Sequence, residues 1–321
     1  MKKVISIILV CAFAIIMIAA CGNGETEVET PTQADPVVEA TPTPEANPTT
    51  EPAETEELVE ETQDDFPFDS LIAVFTREDG SGTRDAFVDA TGVGDDMSVE
   101  AFVQNSTGAI RTAVAENELG IGYVSIGSLN DEVRAMAIDG VYPTHDTVRD
   151  GSYRLSRRFL LAFTEETAEN ELVQDFLAFI LSAEGQELLA GSWTPAVANP
   201  EPFTSSNLSG NITVSGSTSV APALDILAEA YIALNPDVTI DVMSVGTGAG
   251  IEQAATGIAD LAMASRELRE GELADLENYV PILLDGVAII VNIANPVQGL
   301  TMEQVRQIYL YGDLRWSDVV S

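Results

Sequence analysis

Cysteine is nearly missing from this chain: of 321 residues only Cys11 and Cys21 are cysteines. Both fall at the very start, so the part that folds can hold no disulfide framework and no thiol nucleophile. Histidine occurs once, at His145. A Ser-His-Asp hydrolase would have to be built on that residue, and no Gly-x-Ser-x-Gly elbow accompanies it. His145 lies in the polar stretch Tyr142-Pro-Thr-His-Asp-Thr147 and is expected to be a solvated loop residue. A zinc site lacks ligands. Lysine is absent after Lys3, which excludes a phosphate-binding Walker lysine. Gly246-Thr-Gly-Ala-Gly250 falls short of a dinucleotide fingerprint. Aromatic residues make up 6% of the chain, and Trp193 and Trp316 read as packing residues. The residues therefore point away from an enzyme, and no cofactor or metal is implied.

Positive charge is the next scarcity. The formal net charge is -38, against 14 Lys plus Arg. Setting aside Lys2, Lys3 and the fourteen acids of residues 22–65 leaves -26 for the rest, and every positive side chain there is Arg. A nucleic-acid partner is disfavoured, because a phosphate backbone requires a basic surface. A small anion is still possible, provided its site is local and built from backbone N–H groups and one or two arginines.

What is present starts with a leader. Lys2 and Lys3 precede an almost wholly apolar run, 4–17, and Ile18-Ala-Ala-Cys21 has the form of a lipoprotein cleavage box. Residues 1–20 read as a lipoprotein signal peptide and Cys21 as the lipidated N-terminus, with an ordinary secretory signal as the alternative. Residues 21–65 are rich in Glu, Thr and Pro, carry no basic residue and show no apolar periodicity. They read as a disordered acidic tether.

Beyond residue 65 the pattern alternates. Strand-like runs are expected at 71–75, 120–125, 133–139, 158–163, 212–215, 238–244, 260–264 and 281–292. Helix-like runs are expected at 84–90, 107–117, 171–181, 219–234, 250–257 and 302–310. Such alternation reads as α/β, and the Pro/Ser/Asn stretch 198–210 as a long loop.

Three strand-to-helix turns in this pattern are rich in Gly, Ser and Thr. They are Thr76-Arg-Glu-Asp-Gly-Ser-Gly-Thr-Arg84, Ser215-Gly-Ser-Thr-Ser-Val-Ala-Pro222 and Val245-Gly-Thr-Gly-Ala-Gly250. Glycines let the backbone approach a ligand, and the first N–H groups of a helix have no intrahelical partner and can face an oxyanion. Thr218 and Ser219 stand where a helix N-cap is expected.

With Ala264-Ser-Arg-Glu-Leu268, Leu284-Asp-Gly-Val-Ala-Ile-Ile-Val-Asn292, Ser106-Thr-Gly-Ala109, Ile121-Gly-Tyr-Val-Ser125 and Leu155-Ser-Arg-Arg-Phe-Leu-Leu161, the chain resembles the phosphate-binding protein of high-affinity phosphate ABC importers. The resemblance covers nearly all of 70–321. It implies an α/β, two-lobe periplasmic-binding-protein fold (type II-like) with a hinge and a central cleft. One lobe would be 66–155 plus 282–321 and the other 156–281, with hinge crossings near 152–158 and 280–283. It implies phosphate contacts from Arg77, Ser81, Gly82, Thr83, Thr218, Ser219 and Thr247, with Asp79 orienting Arg77. It implies capture of inorganic phosphate on the extracytoplasmic face of the membrane for the permease of an ABC importer, by a lipid-anchored monomer. A receptor for another tetrahedral oxyanion, or a surface sensor or adhesion module without a transport role, are the alternatives.

Two departures stand out. Some family members carry a proton-accepting carboxylate after the Ala-Ser pair, and Arg266 stands there instead. Arg266 is expected either to contact ligand or to pair with an acid at the cleft rim; Asp285 is a candidate replacement acceptor, or the partner of Arg266. The two sequence halves also run in the opposite order to the family, as in a circular permutation. A domain-swapped dimer or a piece of a tandem array are the alternatives to a permuted monomer.

Overall fold

The computed structural model describes residues 65–320; the leader, Cys21 and the tether through residue 64 lie outside them. In chain order the elements are β1 (Ala73–Arg77), α1 (Gly82–Thr91), β2 (Phe102–Gln104), α2 (Thr107–Ala115), β3 (Gly120–Ser125), β4 (Val133–Ala135), β5 (Ala137–Ile138) and α3 (His145–Arg149). There follow β6 (Ser156–Phe163), α4 (Glu165–Ala168), α5 (Glu171–Leu181), α6 (Ala183–Leu189), β7 (Thr194–Pro195), β8 (Gly210–Gly216), α7 (Ala221–Leu234), β9 (Val238–Ser244) and α8 (Thr247–Ala255). The chain closes with β10 (Leu261–Ala264), β11 (Asn278–Asn292), β12 (Gly299–Leu300), α9 (Met302–Tyr311) and α10 (Trp316–Val319).

The α/β expectation holds, with three instructive differences at element ends. Strand β1 runs on to Arg77, so the arginine is the last strand residue, and its buried backbone N–H donates to the Tyr123 hydroxyl at 3.1 Å. The stretch expected as one strand at 133–139 is split: β4 pairs with β11 and β5 with β12. Helix α7 starts at Ala221, so Thr218 and Ser219 are not its cap but lie in the preceding turn, where the Val220 and Ala221 amides donate to the Ser217 carbonyl.

Local chemistry accounts for most of the ends. In α5 the residues Leu172, Val173, Phe176, Leu177 and Ile180 recur at helical spacing and all are buried, while the Asn170 side chain caps the first turn. Helix α9 begins on a Thr301/Gln304 capping box and stops at Gly312, whose φ of 68° is left-handed.

The main sheet has the order β2-β1-β3-β11-β6-β10-β8-β9. Strand β11, 15 residues long, serves both ends of it: Asn278 to Gly286 pair with β6, and Val287 to Val291 pair with β3. Two large apolar cores lie along this sheet. One gathers Phe66, Ile72, Phe87, Tyr123, Leu155, Val287, Tyr309 and Trp316; the other gathers Phe159, Phe176, Leu224, Tyr231, Met263 and Leu283. The chain passes between them twice, between Leu155 and Phe159 and again between Leu283 and Val287. Residues 198–209 form no regular element, yet Phe203 packs edge-on against Phe179 at 5.2 Å.

The two ends of the described chain meet. The Ile72 amide donates to the Leu314 carbonyl at 2.9 Å, Leu71 bridges Arg315, and Phe66 meets Trp316 edge-on at 6.4 Å. Strand β1, near one end of the sequence, is thus held by the segment that closes it.

Candidate functional site

The three Gly/Ser/Thr turns converge where the two cores face each other. Gly80, at a φ of 83°, offers its carbonyl to the Gly248 amide at 2.9 Å, which ties the first turn to the third. A Cβ at Gly82 would sit within 2.6 Å of the Ser265 hydroxyl and collide with Thr247, so only glycine permits this approach. Ser81 is buried and caps α1 through the Arg84 amide.

The second turn closes the other side. The Thr83 hydroxyl lies 2.9 Å from that of Ser219. The Thr107 hydroxyl lies 3.0 Å from Thr218 Oγ1 and 2.8 Å from Ser219 Oγ. The Thr107 amide, at the start of α2, donates to Thr218 Oγ1 at 3.3 Å. Thr247, fully buried, stays with its neighbour Ser265, whose amide donates to Thr247 Oγ1 at 3.3 Å. Arg77, Ser81, Gly82, Thr83, Thr218, Ser219 and Thr247 are therefore brought to one place, although 136 positions separate Thr83 from Ser219.

The surrounding groups correct the expectations for Asp79 and His145, and for Asp285 and Arg266 they choose among the alternatives: Asp285 is not the partner of Arg266, and Arg266 takes its ion-pair alternative. Asp79 does not orient Arg77. Its exposed carboxylate pairs with Arg84, and Glu78 holds Arg77 instead, with Nε and Nη2 each donating to one carboxylate oxygen at 2.7 Å. Asp285 does not pair with Arg266. It is buried on β11 opposite Arg157 on β6, accepts from Arg157 Nε at 2.8 Å, and accepts from the Ser125 hydroxyl at 2.8 Å. Burial pushes the Asp285 carboxyl up, and the Arg157 charge and the Ser125 hydroxyl pull against it.

Arg266 does not reach the hydroxyls. It donates from Nε to Asp85 at 2.8 Å and from both Nη atoms to Glu272 at 2.7 and 2.8 Å, and Nη1 also donates to the Glu267 carbonyl. Asp85 lies on α1 and Glu272 beyond β10, so this buried arginine fastens one half to the other. Burial raises the Glu272 carboxyl, but hydrogen bonds from Arg266 and the Arg269 amide outweigh it and hold the group below its usual range. His145, finally, is not a solvated loop residue. It is the half-buried first residue of α3, and its Nδ1 lies 3.1 Å from the Thr194 hydroxyl of β7.

Residue-by-residue reading passed over Glu78, Thr107, Arg157 and Ser265. Each stands inside a stretch singled out in the sequence, so the signal was the motif as a whole.

Besides that of Arg77, a second guanidinium reaches the hydroxyls, that of Arg157. It is buried, stacks over Phe159 at 5.0 Å, and donates from Nη1 to Thr83 Oγ1 at 3.0 Å and to the Ser265 carbonyl at 3.1 Å. Two arginines, each neutralised by its own carboxylate, thus flank a cluster of small hydroxyls. Nothing in that set is a nucleophile paired with a base; it is an arrangement for holding an acceptor-rich group.

The fold and this seam define a binding protein of the periplasmic type: a family model described as "PBP superfamily domain" matches residues 20–184 and 201–320. The chain is 40% identical over 247 residues to the phosphate-binding protein PstS 2 of Streptococcus pneumoniae serotype 4, covering 74% of this chain and 84% of that one. It is 35% identical over 257 residues to PstS 2 of Streptococcus agalactiae serotype V, covering 77% and 87%. The crystal structure of a phosphate ABC transporter phosphate-binding protein from Streptococcus pneumoniae TIGR4 matches with a TM-score of 0.65 and 39% identity, covering 78% of this chain and 100% of that one. The chain belongs to the PstS family of phosphate-binding proteins.

Proposed function

We propose that the protein is a receptor that captures inorganic phosphate outside the membrane and delivers it to the permease of an ABC importer. The observation that carries this is the convergence of Thr83, Thr107, Thr218 and Ser219 hydroxyls beside the Arg77 guanidinium. Hydroxyl and amide donors fixed by helix starts, with one arginine fork, suit a tetrahedral oxyanion. In this reading Arg77, Ser81, Gly82, Thr83, Thr218, Ser219 and Thr247 contact phosphate, and Thr107 joins them. Ligand entry separates the hydroxyl pairs that now bridge the two halves, with β6 and β11 as the hinge. A calorimetric titration of the purified protein tests this. Saturable phosphate binding at micromolar concentration or below is expected, and no binding of phosphate would overturn it. Parallel titrations with sulfate and arsenate rank the oxyanions.

The reading places the protein on the outer face of the membrane as a monomer, with Cys21 carrying a lipid and the acidic segment as a spacer. Cys21→Ser should then release the protein from the membrane fraction; unchanged retention and mass would remove the anchor. The order of the two halves is taken as a circular permutation, supported by the Ile72–Leu314 pairing of the chain ends. A chain rewritten with 211–321 ahead of 70–197 should fold and bind phosphate; a rewritten chain that cannot fold would count against it.

A further inference from the structure

We infer that Tyr123, through its hydroxyl, is a positioning residue for the Arg77 guanidinium and so sets how tightly the site holds phosphate. The inference rests on the phosphate-receptor reading above.

Tyr123 stands in Ile121-Gly-Tyr-Val-Ser125, one of the family-like stretches that supplies no phosphate contact. The need for it arises from the way β1 ends. Pairing of β1 with β3 stops at Val74 opposite Ile121, whereas pairing with β2 continues to Arg77 opposite Gln104. Phe75, Thr76 and Arg77 are therefore laddered on one edge only. Successive amides of a strand face opposite edges. The Glu78 amide goes to the Gln104 carbonyl at 3.1 Å, so the Arg77 amide faces the edge where the β3 ladder has stopped. It is buried, and the Tyr123 hydroxyl is the acceptor it finds there, at 3.1 Å. Tyr309 serves the same edge one step earlier, donating from its hydroxyl to the Phe75 carbonyl at 3.1 Å. Two tyrosine hydroxyls thus take over from the ladder.

The bonds at Tyr123 run in one direction. The Arg77 amide can only donate, and the Met97 Sδ atom can only accept. The Thr76 hydroxyl donates to Met97 Sδ at 3.1 Å. The Tyr123 hydroxyl, 2.8 Å from Thr76 Oγ1, therefore gives its proton to Thr76 and keeps a lone pair for Arg77. Burial pushes the Tyr123 phenol up to about 12, so that proton is present at neutral pH. The ring is held as well. It stacks on Phe87 of α1 with centroids 4.2 Å apart and 7° between planes, and Phe87 meets Tyr309 at 4.6 Å. One residue thus grips both flanks of the first oxyanion turn, the strand end by its hydroxyl and the helix by its ring. Arg77 is then fixed at two points: Glu78 holds the fork and Tyr123 the root. The reach of Nη1 to Thr107 is already 3.3 Å, so a shift of the root has little slack to absorb it.

Phosphate titration by calorimetry tests the inference on Tyr123→Phe, which keeps the ring stack and removes the hydroxyl alone. Affinity should fall at least about tenfold, since the buried Arg77 amide must move to find another acceptor. Tyr309→Phe removes the matching hydroxyl from Phe75, further from the fork. It should lower the melting temperature comparably but weaken binding less than about threefold. A merely structural role gives Tyr123→Phe a lower melting temperature at unchanged affinity, and that result would overturn the inference. Equal affinity losses in the two tyrosine variants would overturn it too. The route through Arg77 is read from a double-mutant cycle, with binding followed to millimolar phosphate. In an Arg77→Ala background Tyr123→Phe should cost less than about twofold in affinity. The full loss there would show that Tyr123 acts without Arg77, and the inference fails. Should Tyr123→Phe not fold, as judged by its melting curve, Thr76→Val takes its place. That change keeps the side-chain shape and removes the acceptor of the Tyr123 proton; at least about a threefold loss is expected, again absent beside Arg77→Ala. Wild type that binds no phosphate removes both this inference and the function it rests on, whereas wild-type binding with normal affinity in Tyr123→Phe removes only this one.

Discussion

Arg157 and Arg266 are both buried arginines paired with carboxylates from the other side of the seam or the strand opposite, yet they do different things. Arg266 spends its donors on Asp85, Glu272 and the Glu267 carbonyl. Arg157 spends one edge on Asp285 and turns Nη1 toward Thr83. Burial of an arginine therefore says little about anion binding. What decides is how many of its five donors its carboxylates leave over, and where those point. Arg77 belongs with Arg157: Glu78 takes two donors, and Nη1 faces Thr107.

The sharpest way to break this comparison is to remove one arginine of each kind. Arg77→Ala should cost phosphate binding on the order of 2–5 kcal/mol, as for truncating a desolvated charged partner. The check is calorimetry with an unchanged circular-dichroism spectrum; normal affinity would show that Arg77 is structural, like Arg266. Gly82→Ala adds one methyl against Ser265 and Thr247. It should hold the two turns apart and cost about 1–3 kcal/mol of affinity, with a smaller effect on the melting temperature.

Arg266→Ala should show the opposite profile. It strands Asp85 and Glu272, which are partly solvated, so a loss of about 1–3 kcal/mol in unfolding free energy is expected, with affinity changed less than threefold. The pair also has a pH signature. The folded-state pKa of Glu272 lies below its unfolded value. Its contribution is fully present above the ordinary glutamate value of about 4.3 and is lost as pH falls through the folded value. Denaturant unfolding below about pH 4.5 should therefore lose stability in wild type more steeply than in Glu272→Gln. The smallest effect is expected at Arg158–Glu267, an exposed pair between β6, the strand of Arg157, and the segment after β10. Glu267→Gln should change stability by no more than about 0.5 kcal/mol. A larger loss would mean that this surface pair, and not Arg266, joins the elements.

Periodicity and turn composition carried most of the secondary structure. Strands 120–125 and 238–244 and helix 171–181 have the expected bounds. The short pieces β2, β7 and β12 and the helix α6 were not anticipated, because two- or three-residue strands exist only through their partners. In α6, Ala183–Leu189, the capping Ser182 directly ends α5, so the junction between two helices is invisible to a helical pattern.

The site divides along the same line. Three Gly/Ser/Thr turns after strands are legible in the residues themselves, since glycine freedom and hydroxyl donors are local properties. So is the shortage of catalytic side chains. Which carboxylate serves which arginine was not legible. Glu78 and Asp79 are adjacent and chemically alike, and only the turn after β1 sends one inward to Arg77 and the other out to Arg84. Asp285 found Arg157, 128 positions away, through the register of β11 on β6. Nothing local encodes that register. The sequence by itself determined an α/β chain, its three oxyanion turns and the absence of lysine and thiol beyond residue 21. Tertiary structure alone decided the ion-pair partners and the meeting of Thr83 with Ser219, because a hydrogen bond between distant residues is set by how strands align and not by the residues' own preferences.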